Sequence, residues 1–489
     1  MSIKLSQLLN GFAIIDQDFE ISGITLDSRT ASAGSVFIAL DGSNQHGLSH
    51  AEQAIANGAA VIVYENSVQA NHLADAINSV PVIAVAGLAE KLGEIAARFY
   101  GQPSQQVSVI GITGTNGKTS CSQFLGQALE HCGIIGTLGW GTWGSLKQTV
   151  NTTPDAIAVQ RMLAELLNQG SSSVAMEVSS HGLHQGRVNN VQFKGAVYTN
   201  ISRDHLDYHG NMDDYLQAKL QLLKSPNLEF VVINADDAYS AQIIAAVPQS
   251  VRIWLVSTKN VANNIGELVL AKNIQQQMQG IAFDVCWNGS QQAITVPVFG
   301  EFNIENSLLV LAVMLAMGIS LQDAAIRLAK IKPVTGRMEC FGGINAPLVF
   351  VDYAHTPDAL DKVLGGLKKH CQQNLWVVFG CGGNRDAGKR PQMGASAEKW
   401  ADHVLVTDDN PRFENAQDIV KDILAGCRSD KVRVVQDRKM AIRQAVNDAD
   451  AGDVVVIAGK GHEQYQEIKG VQLPFSDSSC VIEALAMRA

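Results

Sequence analysis

Lys118 and Thr119 close the run Gly111-Ile-Thr-Gly-Thr-Asn-Gly-Lys-Thr119, the stretch of this 489-residue chain with the most specific chemical use. A lysine and a hydroxyl placed directly after a glycine-rich turn are the parts of a phosphate-binding loop. The ammonium reaches the terminal phosphates and the hydroxyl sits on Mg²⁺. Val107, Val109, Ile110 and Ile112 before the turn suit a buried strand. Phe124, Leu125 and Leu129 after it form one face of a helix over Cys121–His131. Strand, loop and helix N-terminus in that order aim backbone N–H groups at an anion. Gly111, Gly114 and Gly117 are expected to supply conformations closed to other residues. The general pattern wants a glycine five residues before Gly117, where this chain has Ile112; it stands one place earlier, at Gly111. The ligand implied is a nucleoside triphosphate.

Other reactive side chains cluster where strands should end. In open α/β sheets, ligands collect beyond the carboxyl ends of the strands. Ser173–Met176 runs into Glu177-Val-Ser-Ser-His181, and Ala196–Thr199 into Asn200-Ile-Ser-Arg-Asp-His205. Glu177 and His205 are therefore expected beside the phosphate loop, where a carboxylate and an imidazole can hold a divalent metal. Asn303 and Asn306 open an apolar helix, and their i, i+3 spacing favours capping, with contact to a nucleobase as the alternative. Further along, four strands each end in a polar loop: Asp352-Tyr-Ala-His355, Gly380-Cys-Gly-Gly-Asn-Arg385, Asp408-Asp409-Asn410-Pro411-Arg412 and Gly459-Lys-Gly-His-Glu463. These read as one composite pocket. Arg385, Arg412 and Glu463 offer it two cations and an anion, which suits a zwitterionic ligand.

The elements that must position these groups alternate strand and helix. A chain of this length exceeds one hydrophobic core, and 46% apolar with 17% charged residues describes a soluble globular protein. Strand-like runs at Ser35–Leu40, Ala60–Tyr64 and Val80–Val85 precede a polar connection, Gly101–Gln106. A second break falls at Ile331–Gly336. The fold class expected is α/β in three domains, over 1–103, 104–332 and 333–489, the central one with a mostly parallel sheet. A net charge of −10 argues against a nucleic-acid surface. Eight cysteines without a C-x-x-C pair suit reduced thiols in the cytosol. The N-terminus lacks a signal-peptide core. The apolar run Leu308–Met317 is about half the ~20 residues a bilayer requires.

Along its whole length the chain resembles the ATP-dependent Mur ligases of peptidoglycan synthesis, whose version of the phosphate loop carries the early glycine. The resemblance implies a UDP-binding N-terminal domain, a central ATPase domain and a C-terminal Rossmann-like domain supplying an amino acid. Asp409-Asn-Pro-Arg412 is similar to the motif of members that add meso-2,6-diaminopimelate to UDP-N-acetylmuramoyl-L-alanyl-D-glutamate. Carried over by motif, Gly114, Thr115, Asn116, Gly117, Lys118, Thr119 and Ser120 would bind ATP, with Asn303, Asn306, Arg337, Asp352 and His355 around adenine, ribose and phosphates. Leu26, Ser28, Ser43, Asn44 and Gln45 would contact the uridine part. Asn151, Thr152 and Thr153, with Ser179, Gln185 and Arg187, would hold the muramoyl-peptide. Arg385, Asp409, Asn410, Pro411, Arg412, Gly459 and Glu463 match the diaminopimelate pocket.

Lys219, a solvated helix lysine by its spacing, matches a lysine carbamylated in this family. The carbamate would hold a second Mg²⁺ with Glu177 and His205. The implied reaction passes through an acyl phosphate made by Lys118 and Mg²⁺-assisted phosphoryl transfer, releasing ADP and phosphate. A monomer in the cytoplasm, with small-molecule substrates, no nucleic acid and no membrane insertion, is expected. The alternatives are a lysine-adding Mur ligase, a folylpolyglutamate synthase-like ligase and, in another class, a P-loop switch that makes no covalent product.

Overall fold

The computed structural model describes residues 2–42, 45–259, 265–277, 280–343, 345–369, 371 and 373–488. Two compact units account for them. Met1–Thr113, Leu129–Ala196 and Ala218–Phe230 make the first; Gly114–Ala128, Val197–Gln217 and Val231–Ala489 make the second.

The first unit begins with a four-stranded parallel sheet in the order Gly23–Thr25, Ser35–Ala39, Ala59–Glu65, Val82–Val85. Its β-branched runs are buried on both faces, as parallel strands under helices require. Val36, Ile38, Val61 and Val63 face the helix Leu88–Phe99. Phe37, Ala39, Ile62 and Tyr64 alternate with them and face Ala51, Ala54 and Ala70. Beyond this sheet, Ser173–Glu177 lies parallel to Ser108–Thr113 on one side and to Cys132–Gly136 on the other. The hairpin Gly139–Thr142 and Ser145–Lys147 continues that edge antiparallel. Gly111 sits inside the Ser108–Thr113 strand at an ordinary φ, and a Cβ there would come within 2.8 Å of Phe193. Space under Phe193, and not a special turn conformation, therefore explains the early glycine.

The second unit holds a six-stranded sheet in the order Glu339–Gly342, Leu348–Asp352, Val454–Ala458, Leu375–Phe379, His403–Val406, Val432–Val434. All neighbours are parallel except the first pair. Consecutive residues again serve opposite cores: Phe350, Val377, Phe379 and Val456 on one face, Val349, Val351, Val378 and Ile457 on the other. Because the strands are parallel, the loops after Asp352, Phe379, Val406 and Ala458 emerge on one side. Helix Phe302–Ala316 is buried on nearly all sides, which its apolar sequence dictates. The antiparallel strands Glu267–Gln277, Gly280–Trp287 and Ser290–Val296 went unread, although Ile281, Phe283 and Val285 alternate in the middle one; only the outer two carry glutamine runs that blur the pattern.

Arg438 and Asp477, each fully buried, begin the helices Arg438–Asp448 and Asp477–Arg488 and lock them together beneath the strand ends. The guanidinium donates from Nε and Nη2 to the carboxylate at 2.7 and 2.8 Å, and from Nη2 to the Ala458 carbonyl at 2.9 Å. Arg438→Met leaves Asp477 as an unpaired buried charge and should lower unfolding free energy by about 3–5 kcal/mol. Urea denaturation checks this, and the double variant Arg438→Met/Asp477→Leu should recover part of the loss.

Candidate active site

The phosphate loop is held from both sides within the second unit. Gly114 and Gly117 adopt φ of +140° and +86°, closed to residues with a Cβ. A Cβ on Gly117 would stand 2.5 Å from Asn306 Oδ1. The Thr115 N–H donates to the Asn200 carbonyl at 2.7 Å, and the Asn116 N–H donates to Asn200 Oδ1 at 3.1 Å. Thr115 Oγ1 accepts from the Ser202 N–H at 2.9 Å and meets Tyr215 Oη at 3.1 Å. The Lys118 ammonium donates to the carbonyls of Gly114 and Thr115 at 2.8 and 2.9 Å. Arg337 donates from Nη2 to Thr119 Oγ1 at 3.1 Å while lying 4.2 Å over the Tyr353 ring.

Asn303 and Asn306 do not cap their helix. Glu301 occupies the cap position without a side-chain bond. Both asparagines are buried in the first turn, where Asn303 donates to the Phe299 carbonyl at 2.7 Å and Asn306 to Asn303 Oδ1 at 2.9 Å. The capping expectation fails because Asn306 is drawn inward against Gly117 and Cys121. Asp352 spends both oxygens on backbone, accepting from the Met338 and Ala354 N–H groups at 2.8 Å each.

Four strand-end loops do converge. A cavity of about 150 Å³ is lined by Asp204, His205 and Asp207, Tyr353 and His355, Gly380–Gly382 with Arg385, Asp386 and Lys389, Asp409, Asn410 and Arg412, and Gly459 and Glu463. Pro411 lies outside this lining and shapes the turn, its carbonyl accepting from the Glu414 N–H at 3.0 Å. Arg412 is left-handed at φ +52° and is pinned there: its N–H donates to the Glu467 carbonyl at 3.0 Å, Nε to Glu467 Oε2 at 3.1 Å and Nη1 to the Gly383 carbonyl at 2.8 Å. Asn410 donates to Glu463 Oε2 at 2.8 Å. Beneath both, the fully buried Lys460 donates to Asn410 Oδ1 at 2.9 Å and Glu463 Oε2 at 2.6 Å. Lys460, Glu467 and Lys389 were missed from sequence. For Lys460 a signal existed, since its i, i+3 spacing to Glu463 suits an ion pair.

A second group of expected residues meets in the first unit. Glu177 is buried at the end of its strand, in register with Ile112. Its Oε1 accepts from the Thr137 N–H at 2.9 Å and its Oε2 from Thr137 Oγ1 at 3.0 Å. Thr152 Oγ1 meets Thr137 Oγ1 at 3.1 Å. Thr153 Oγ1 donates to the Glu177 carbonyl at 2.9 Å and accepts from the Ser179 N–H at 2.9 Å. Arg187 donates to the Thr153 carbonyl at 2.8 Å and grips Gln185 Oε1 at 2.9 and 2.6 Å. Thr137 thus links Glu177 to Thr152, and nothing in its sequence marked it. Asn151 is exposed. Ser28 donates to Gln53 at 2.7 Å, Gln45 meets His50 at 2.9 Å and Leu26 is half-buried. Ser43 and Asn44 lie outside the described residues. Lys219 is 1% exposed on helix Met212–Leu220, so it is not the solvated lysine its spacing suggested. Among the described residues no group of three or more His, Cys, Asp or Glu stands ready to hold a metal ion.

Electrostatics in the cavity favour neutral imidazoles. Burial, reinforced by Lys389, pushes His355 down to about 4; burial, reinforced by Arg337, His355 and Lys460, pushes His462 down to about 3. Burial raises the Asp352 carboxyl against the pull of Arg337. An unfolded chain takes up protons on these histidines near pH 6.5, whereas the fold resists until much lower pH. Stability is therefore present above about pH 6.5 and is lost as pH falls toward 4. Melting temperature measured from pH 7.5 to 4.5 should fall through this window, and His462→Gln should flatten the fall; an unchanged slope contradicts the assignment.

Comparison with known proteins agrees with this geometry. Family models for the Mur ligase family catalytic domain, the Mur ligase middle domain and the Mur ligase glutamate ligase domain match residues 20–100, 112–314 and 336–461. A Coxiella burnetii protein named UDP-N-acetylmuramoyl-L-alanyl-D-glutamate–2,6-diaminopimelate ligase is 45% identical over 480 residues, 97% of each chain. A Pseudomonas aeruginosa protein of the same name is 45% identical over 491 residues, 99% of each chain. A solved structure carrying that enzyme name aligns at a TM-score of 0.70 and 34% identity, covering 100% of this chain and 99% of the other. With its three-domain α/β architecture, the chain belongs to the Mur ligase family.

Proposed function

We propose that this chain joins meso-2,6-diaminopimelate to the D-glutamate γ-carboxylate of UDP-N-acetylmuramoyl-L-alanyl-D-glutamate, using ATP and releasing ADP and phosphate. The observation that carries the reading is the acceptor cavity. It offers the Arg412 guanidinium, held by Glu467 and Gly383, opposite the Glu463 carboxylate, held by Asn410 and Lys460. A diamino diacid presents both a carboxylate and an ammonium to such a pair, whereas lysine lacks the distal carboxylate. Residues 1–103 take the uridine part through Leu26, Ser28 and Ser43–Gln45; 104–332 bind ATP; 333–489 supply the amino acid. The enzyme acts in the cytoplasm as a monomer.

Joining a carboxylate to an amine at neutral pH is uphill without activation. The γ-phosphoryl bond of ATP breaks, a bond forms from phosphorus to the substrate carboxylate, and the acyl phosphate results. Two anions meet in that step, so positioning and charge neutralisation do most of the work. Lys118, now bonded to loop carbonyls, is the cation poised for the β- and γ-phosphates. Thr153, Ser179, Gln185 and Arg187 orient the muramoyl-peptide. The fit to Mg²⁺ is chemical: the Thr119 hydroxyl and the Glu177 carboxylate are hard oxygen donors, with His205 as a nitrogen donor. Bound Mg²⁺ would neutralise developing phosphate charge. As a carbamate, formed when its amine adds CO₂ and loses a proton, Lys219 would offer two oxygen donors in place of a cation.

The test is product mass after incubation with UDP-N-acetylmuramoyl-L-alanyl-D-glutamate, ATP, Mg²⁺ and equal meso-diaminopimelate and L-lysine. The diaminopimelate amide should dominate, with stoichiometric phosphate. A lysine amide, or phosphate release dependent on a folate instead, contradicts the reading, and no amide at all favours a P-loop switch.

A further inference from the structure

Every other cation buried around the acceptor cavity has a partner. Arg438 holds Asp477, Lys460 holds Glu463, and Arg390 donates to Glu414 at 2.8 Å and Asp422 at 2.9 Å. Lys389 is the exception. It is 8% exposed, it lines the cavity, and among the described residues no hydrogen bond or ion pair engages its ammonium. Burying an ammonium with no acceptor in direct contact is costly, so this position suits an anion that arrives. Among the described residues no carboxylate comes within ion-pair distance of it.

Its neighbours say which anion. Lys389 shares the cavity lining with Asp204, His205 and His355, and Asp204 interacts electrostatically with both Lys389 and the phosphate-loop Lys118. The segment bearing Asp204 also carries Asn200 and Ser202, which clamp Thr115 and Asn116. Arg412, by contrast, is tied to the Glu467 strand beside Asn410 and Glu463. Lys389 and Lys118 thus both act on Asp204, in the segment that continues from the clamp on the phosphate loop.

We propose that Lys389 is a catalytic residue whose ammonium binds the transferred phosphoryl group, first in the acyl phosphate and then as departing phosphate. The inference rests on the ligase reading above. Lys118 holds the phosphoryl group while it belongs to ATP, and Lys389 receives it once the bond to the β-phosphate has broken. The acceptor ammonium then loses a proton and its nitrogen attacks the acyl carbon. The C–N bond forms, the acyl C–O bond breaks, and phosphate leaves with both electrons of that bond. One of the two protons lost from nitrogen ends on phosphate as HPO₄²⁻ and the other in water. A fixed cation aimed at charge that develops in this way contributes about 100- to 1,000-fold in rate.

Lys389→Met and Lys389→Arg, compared with wild type, test this. Steady-state kinetics with ATP and meso-diaminopimelate give kcat and KM, hydroxylamine traps the acyl phosphate as a hydroxamate, and thermal unfolding reports the ligand-free fold. Lys389→Met should lose about 100- to 1,000-fold in kcat, with both KM values nearly unchanged. Its melting temperature should equal or exceed wild type, since an unpaired buried charge has been removed. Lys389→Arg should regain part of the rate. The proposal is overturned if kcat is retained, or if only the diaminopimelate KM rises, which would make Lys389 a reader of the acceptor carboxylate. A lowered melting temperature with no rescue by arginine also overturns it, in favour of a structural role. A wild-type enzyme that makes no diaminopimelate amide would overturn the underlying ligase reading itself, whereas failure confined to the variants touches Lys389 alone.

Discussion

The charge buried at Lys460, under the acceptor cavity, is paired within the protein, and that pairing sets the cavity's shape. Lys460 is the pivot. Its ammonium is removed from water and must be met by Asn410 Oδ1 and Glu463 Oε2. That contact fixes which way the Asn410 amide points, and so fixes its donation to Glu463. The Glu467 N–H then completes Asn410 Oδ1 at 2.9 Å, which brings the Tyr465–Ile468 strand alongside Arg412. Loops separated by some fifty residues become one surface because a single buried cation cannot be left unsatisfied.

The phosphate loop is built on the same logic with backbone in place of charge. Gly114 and Gly117 permit the turn, while Thr199, Asn200 and Asn306 crowd it so closely that side chains at those glycines would not fit. The segment that clamps the loop continues directly into Asp204 and His205, which line the acceptor cavity. On the proposed reading, nucleotide and acceptor recognition are two faces of one short stretch, 199–205. A ligase needs that economy, since the phosphoryl group must pass from one to the other without meeting water.

Much of this was legible in the sequence because the signals were local. Parallel strands announce themselves as β-branched runs, and Ser173–Glu177, Phe230–Asn234, Leu348–Asp352 and Val454–Ala458 stand where those runs predict. The convergence of four polar loops followed from parallel topology, which puts all carboxyl ends on one side. What escaped was non-local. Thr137 matters only because it bridges Glu177 and Thr152, and Glu467 only because its strand reaches Arg412. Lys219 read as a solvated helix lysine and Lys389 went unremarked, since burial is decided by packing that no neighbouring residue encodes. Asn303 and Asn306 obeyed capping statistics in sequence and broke them in the fold, where a glycine loop needed a buried amide against it.

The central claim is that a pinned Arg412 reads the distal carboxylate that separates diaminopimelate from lysine. Steady-state kinetics of Arg412→Ala, with ATP, diaminopimelate and lysine each varied, test it most directly. Loss of one side of such a pair costs ~2–5 kcal/mol, and each ~1.4 kcal/mol is a factor of ten. The kcat/KM for diaminopimelate should therefore fall by roughly thirtyfold to several thousandfold, while the KM for ATP and the low activity with lysine stay nearly constant. Equal losses for ATP and diaminopimelate, or for diaminopimelate and lysine, would contradict the account.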